Sequence, residues 1–181
     1  MNIAVYCAAS QSNDSTFDER TEELGNWIAK NNHTLVYGGG NTGLMGVVAT
    51  SVMKSDGEVI GVMPQFFVDR EIAKKDITKL HIVETMSERK NKMIELSEVY
   101  IALPGGPGTL EEIVEVVSWV RVGQTNGICI FYNMEGYYDH LEAFFNHMVT
   151  TNLLSKEDRK QIYFVKSLEE IEKLIENYEK R

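Results

Sequence analysis

Two residues of this 181-residue chain, Arg89 and Glu112, carry the types and the local settings that chemistry needs. Glu112 ends the stretch PGGPGTLEE, Pro104 to Glu112. Three glycines, Gly105, Gly106 and Gly108, would let the backbone approach an anion with no Cβ in the way. Just before them runs the short apolar segment Val99-Tyr100-Ile101-Ala102-Leu103, which reads as a buried parallel strand. Just after them, Leu110, Ile113, Val114 and Val117 recur at the spacing of one helical face. A glycine-rich turn between the carboxyl end of a strand and the start of a helix is a site for phosphate, which uncapped helix N–H groups bind. The plainer reading is a capping box, with Thr109 capping the helix and Glu112 bonding back to it. A capping box needs neither three glycines nor two prolines in front of it, so the stretch is read as a site.

Arg89 stands with Lys90 and Lys92 in MSERKNKM, at the start of another expected helix. The positive end of the macrodipole makes each such cation cost about 0.3–1 kcal/mol. Either the three form a solvated basic face, partly offset by Glu88, or an anion compensates them. Read as a clamp, Arg89 supplies a planar fork, and Lys90 and the loop N–H groups supply further donors to one phosphate. A phosphate clamp with a carboxylate beside it suits cleavage of an N-glycosidic bond. Glu112 would stabilise the oxocarbenium-like ribose and orient water.

The stretch GGGNTGLMG, Gly38 to Gly46, contains the pattern GxGxxG at Gly38, Gly40 and Gly43. It follows the second strand rather than the first, and the next strand ends in Pro64 instead of an acid for a ribose, which excludes a dinucleotide hydride-transfer site. Gly39, Gly40 and Gly43 are expected instead to wall a phosphate or ribose, as is Ser10 in the polar loop after the first strand. No Walker motif, nucleophile elbow or clustered metal-ligand set is present. No metal and no cofactor are expected. His33, His81, His140 and His147 are scattered and read as surface or structural residues.

The elements that must position these residues alternate throughout. Strands are expected at Asn2 to Cys7, Thr34 to Tyr37, Glu58 to Met63, His81 to Glu84, Val99 to Leu103, Ile128 to Tyr132 and Ile162 to Val165. Helices are expected at Thr16 to Lys30, after Thr85, after Thr109, at Tyr137 to Val149 and at Ser167 to Tyr178. That order predicts an α/β fold, a Rossmann-like doubly wound parallel sheet with helices on both faces. Residues 65–79 have no clean period and suit a lid or short helix over the site. At 20.5 kDa and 43% hydrophobic, residues 1–181 suit one nucleotide-binding domain. The net charge of −9 and pI near 5.0 argue against nucleic acid or an anionic membrane surface as partner. Cys7 and Cys129 share no ligand spacing and read as buried thiols of a cytoplasmic protein. Trp119 with Val116, Val120 and Val122 is more apolar surface than one helix buries, so part of it is expected to meet a second copy.

GGGNTGLMG, MSERKNKM and PGGPGTLEE, in this order and spacing, resemble the LOG family of cytokinin-activating phosphoribohydrolases, formerly labelled lysine decarboxylases. The resemblance runs from CAAS at Cys7 to GYYD at Gly136. It implies a Rossmann-like homodimer that cleaves a nucleoside 5′-monophosphate, AMP or an N6-modified AMP, to free base and ribose 5-phosphate without metal or cofactor. It puts the catalytic arginine on Arg89 and the catalytic glutamate on Glu112. Binding roles fall on Glu71, Lys90, Gly105, Gly106, Pro107, Gly108, Thr109, Leu110 and Glu111. The chain departs from the commoner pattern at Ser87, where histidine is usual, and at Pro107, where an aromatic residue is frequent. A decarboxylase would need a Schiff-base lysine with partners for a pyridoxal ring, and Lys90 in its basic cluster does not read as one. The rival function is a non-catalytic nucleotide or molybdenum-cofactor carrier, which has no need of both Arg89 and Glu112.

Overall fold

The computed structural model describes residues 1–70 and 72–180. Seven parallel strands form one sheet: β1 (Asn2–Tyr6), β2 (Thr34–Tyr37), β3 (Glu58–Pro64), β4 (Lys79–Val83), β5 (Val99–Ala102), β6 (Ile128–Tyr132) and β7 (Ile162–Val165). Their spatial order is β4-β3-β2-β1-β5-β6-β7. The order reverses beside β1, which pairs with β2 on one side and β5 on the other. The crevice at the carboxyl ends of β1 and β5 is therefore the topological switch point, where ligands of open α/β sheets bind.

Period-two alternation sends each strand's side chains to two separate cores. Ile3 and Val5 of β1 join Leu35, Tyr37 and Ile101 beneath α1 (Ser15–Lys30), α2 (Gly43–Lys54) and, further along, α8 (Leu168–Glu179). Ala4 and Tyr6 join Val36, Tyr100 and Phe131 beneath α4 (Met86–Glu95), α5 (Pro107–Arg121) and α6 (Asp139–Thr150). Every residue of β5 is buried, as a strand covered on both faces must be. The shorter helices α3 (Gln65–Val68) and α7 (Lys156–Arg159) lie in the connections. Among the described residues no helix is long and apolar enough to cross a membrane.

Local capping follows the sequence at α1, α4 and α8. Asp14 accepts from Thr16 N at 2.9 Å to open α1. Thr85 and Ser167 each accept from the glutamate amide three residues on, Glu88 N and Glu170 N. The return bonds go one residue further back than a capping box requires, to Glu84 N and Lys166 N.

The capping-box reading of Thr109 and Glu112 is incorrect. The helix opens two residues earlier, at Pro107, whose fixed φ suits the first helical position. Gly106 is the N-cap and no side chain caps this helix, so Thr109 stands inside the first turn and Glu112 is free of any capping duty. The glycine run also conceals a helix that the sequence pattern does not reveal, since GLMG at Gly43–Gly46 opens α2. The segment after Pro64 folds onto that run rather than over the crevice. Ala73 bridges Gly40, and Lys74 N donates to Gly39 O at 2.9 Å. Glu71 lies outside the described residues.

Val116 belongs to the protein's own core at 0% exposure, so it cannot serve a partner face. Trp119 and Val120 are partly buried against the same core, while Val122 is 70% exposed.

Candidate active site

Helical spacing decides which way Arg89 and Glu112 face. Arg89 lies one turn before the core residue Met93 on α4, and Glu112 lies one turn before Val116 on α5, so both side chains turn inward toward the sheet. They are 6% and 5% exposed, although both are charged types that seldom go inside unpaired. Arg89 Nη1 stands 2.9 Å from Glu112 Oε1. Arg89 Nε donates to Val62 O at 3.1 Å, which ties the guanidinium to the end of β3. Although the two charges are close, Glu112 Oε1 has no hydrogen-bond donor aligned on it. A buried acceptor left in this state has capacity to spare for a further donor.

The pair forms the floor of a cavity of about 360 Å³. Cys7, Ala8, Ala9 and Ser10 wall it from the loop after β1, Gly106, Gly108 and Thr109 from the start of α5, and Met45 and Met86 from α2 and α4. A Cβ on Gly106 or Gly108 would meet no atom within 4 Å, so at these two positions the backbone of the helix start is open to approach. With no side-chain cap, the first N–H groups of α5 remain available to an anion.

Burial raises the pKa of Glu112 above the ordinary carboxylate value. Arg89 pulls it back down, Glu111 pushes it up, Lys90 pulls it down and Glu115 pushes it up, in decreasing order. The Cys7 thiol is pushed up by burial and by Glu112, which makes it a poor nucleophile despite its place in the wall. Tyr6 is likewise held well above its usual range by burial and by the same carboxylate.

Only part of the expected site comes together here. Arg89, Glu112, Glu111, Thr109, Gly106, Gly108 and Ser10 line the cavity. Lys90 instead pairs with Glu111 and, at 3.0 Å, with Glu115, both on α5. Arg89 and Lys90 thus have carboxylates of α5 as counter-charges, and Lys92 has Glu95 of its own helix, so their crowding there needs no external anion. Pro107 and Leu110 face away, onto a separate apolar groove. At Gly105 a Cβ would crowd the Thr109 side chain, so this glycine lets the turn close on Thr109. Gly43, at φ +58, packs against the carbonyls of Ala8 and Ser10 and opens on a different cavity beside Asn41 and Thr42. Gly39 and Gly40 are held by the segment folded over them. At Gly39, Gly40 and Gly43 the run meets other segments of the chain's own backbone. Sequence reasoning missed Cys7, Ala8, Ala9, Met45 and Met86 as lining, because only the switch point between β1 and β5 identifies which loops meet.

The family model described as "Possible lysine decarboxylase" matches residues 45–175. A cytokinin riboside 5′-monophosphate phosphoribohydrolase of Arabidopsis thaliana is 36% identical over 176 residues, covering 97% of this chain and 82% of that one. The enzyme of the same name from Rhodococcoides fascians is 36% identical over 169 residues, covering 93% and 85%. The chain belongs to the LOG family of phosphoribohydrolases. Among solved structures, the molybdenum cofactor carrier protein of Chlamydomonas reinhardtii superposes with a TM-score of 0.76 over 99% of each chain at 18% identity, a likeness of fold.

The turn after β5 is held by two side-chain hydrogen bonds. Tyr138 OH donates to Leu103 O and Tyr137 OH to Gly105 O, each at 2.6 Å. These two tyrosines, from the GYYD stretch, pin the carbonyls on either side of Pro104. Among the described residues no group of three or more His, Cys, Asp or Glu could hold a metal ion.

Proposed function

We propose that this protein hydrolyses the N-glycosidic bond of a purine nucleoside 5′-monophosphate, AMP or an N6-modified AMP, to free base and ribose 5-phosphate. The observation that carries the proposal is the buried Arg89–Glu112 pair, 2.9 Å apart, beneath an open helix start. The phosphate is bound by the uncapped N–H groups of Gly108 and Thr109 and the nearby Arg89. Glu112, largely withdrawn from water, presents its charge to the ribose as the bond to the base lengthens and positive charge spreads over the ring. Its unused acceptor capacity aligns the attacking water. Hydrolysis takes the water's hydroxyl to the anomeric carbon and its second proton to the departing base. The activity by which the relatives are named supports this reading.

The deciding experiment incubates purified protein with AMP and with adenosine. Adenine release from AMP alone is expected. No release from either would leave the carrier reading, and comparable turnover of adenosine would remove the phosphate clamp.

The same reading includes a homodimer. An apolar groove of about 610 Å³ runs between α5 and α6, lined by Leu110, Val114, Phe144, Met148 and Leu153. Phe144 is 55% and Leu153 78% exposed, more than a monomer usually leaves in one patch. Glu111 and the first turn of α5 border both groove and cavity, so a second copy seated there would approach the mouth of the site. Cys7 and Cys129 are free and buried, which suits the reducing cytoplasm.

A further inference from the structure

Gly38 follows Tyr37 at the end of β2, beside the end of β3 from which Val62 O accepts Arg89 Nε. Its φ lies outside the left-handed region, so its backbone is one that other residues adopt. What excludes a side chain is the guanidinium. A Cβ at Gly38 would overlap Arg89 Nη2 outright and lie 3.0 Å from Cζ and 3.2 Å from Met45 Cε. We infer that Gly38 is a positioning residue, whose missing side chain forms the slot in which the Arg89 guanidinium lies between Val62 O and Glu112.

This inference deepens the hydrolytic reading and rests on it for its activity test, but the slot itself is a matter of geometry. The atom a new Cβ would strike is the far end of a flexible side chain rather than backbone. Gly38→Ala should therefore leave the sheet intact and drive the guanidinium off its two partners. The buried Glu112 would then lose its nearest cation. The first glycine of the run thus serves Arg89. Gly39 and Gly43, by contrast, take positive φ and meet backbone or other side chains.

The test is a double-mutant cycle of Gly38→Ala and Arg89→Ala with AMP as substrate. Removing one electrostatic interaction from such a site costs about 10²–10³ in rate, so Gly38→Ala should fall by a similar factor. The double variant should match Arg89→Ala to within about twofold, because independent sites would multiply their losses and coupled ones do not. Multiplying losses would overturn the inference, as would a Gly38→Ala enzyme within about threefold of wild type. A second measurement needs no activity. The Nε–H resonance of Arg89, assigned by its absence in Arg89→Ala, should be protected from exchange in the wild type and lost or unprotected in Gly38→Ala. If the wild type releases no base, the hydrolytic reading falls while this resonance still decides the slot. An unchanged resonance overturns the inference. So does a Gly38→Ala chain that fails to fold, since the backbone and not the guanidinium would then have yielded.

Discussion

Arg89 Nη1 stands 2.9 Å from Glu112 Oε1, yet that oxygen receives no aligned hydrogen bond. The guanidinium supplies charge to the carboxylate and directs its Nε–H to Val62 O. A purely structural buried pair needs good geometry to offset the desolvation of both ions. This pair lacks it, which fits a carboxylate reserved for a ligand.

Glu112→Gln separates charge from shape. Gln keeps the volume but cannot stabilise positive charge on the ribose, so turnover should fall by about 10²–10³. Because α5 is capped at Gly106, no cap is lost, so a fall in melting temperature reports only the buried Arg89 left without its counter-charge. Arg89→Ala should lose nucleotide affinity as well as rate. Glu111→Gln, on a neighbouring carboxylate that pairs with Lys90, should lose far less than Glu112→Gln. Steady-state assays with AMP and calorimetric binding check all three, and a Glu112→Gln enzyme keeping more than roughly a tenth of the rate would contradict the assigned role.

The pH profile should carry the signature of the buried carboxylate. Since the Glu112 pKa is raised, chiefly by burial, the acid limb of kcat/KM should rise through an apparent pKa above the ordinary glutamate value of 4.5. Lys90 lowers that pKa and Glu115 raises it. Removing a cation makes the carboxylate harder to ionise, so Lys90→Ala should move the limb to higher pH. Removing a like charge does the opposite, and Glu115→Gln should move it to lower pH. Limbs that shift together, or not at all, would disconnect this network from the rate.

Much of this arrangement is legible in the sequence, for a physical reason. The apolar runs of β1, β2, β5 and β6 are short, almost entirely buried and bounded by turn residues, so the parallel sheet follows from pattern alone. Arg89 is visible because a cation at a helix start breaks a local expectation, and Glu112 because three glycines and two prolines precede its helix. The identity of the partners is not visible. Lys90 looks like an anion clamp until α5 is packed beside α4 and presents Glu111 and Glu115. Pro107 and Thr109 read as before and at the helix start, because glycine-rich flanks blur where the first turn begins. Val116 looks available to a partner only because one helix's periodicity does not tell how wide a stripe the sheet covers.

The two tyrosines that pin the turn after β5 should differ in stability effect. Tyr138 and Leu103 are both buried, so Tyr138→Phe leaves an inaccessible carbonyl unpaired and should cost about 1–3 kcal/mol. Tyr137 is 46% exposed, so water can replace its hydroxyl at Gly105 O and Tyr137→Phe should cost less than about 1 kcal/mol. Urea unfolding of both variants measures the difference, and equal costs would show that burial does not govern these bonds.

Assembly is the remaining expectation, and the groove between α5 and α6 says where to break it. Leu153, at 78% exposure, contributes little to the monomer's own core, and Phe144 at 55% is similar. Replacing either by Asp should therefore leave folding nearly intact. A charge placed in an apolar interface must be desolvated without a partner when the second copy docks, which costs several kcal/mol and is counted twice across a two-fold axis. Sedimentation equilibrium at micromolar concentration should show the wild type near twice the chain mass of 20.5 kDa, and Leu153→Asp or Phe144→Asp near a single mass. Because Glu111 lies between groove and cavity, the monomeric variants should also bind AMP less tightly while melting cooperatively. A wild-type chain that sediments as a monomer would remove the dimer, and variants that remain dimeric would place the interface on another face.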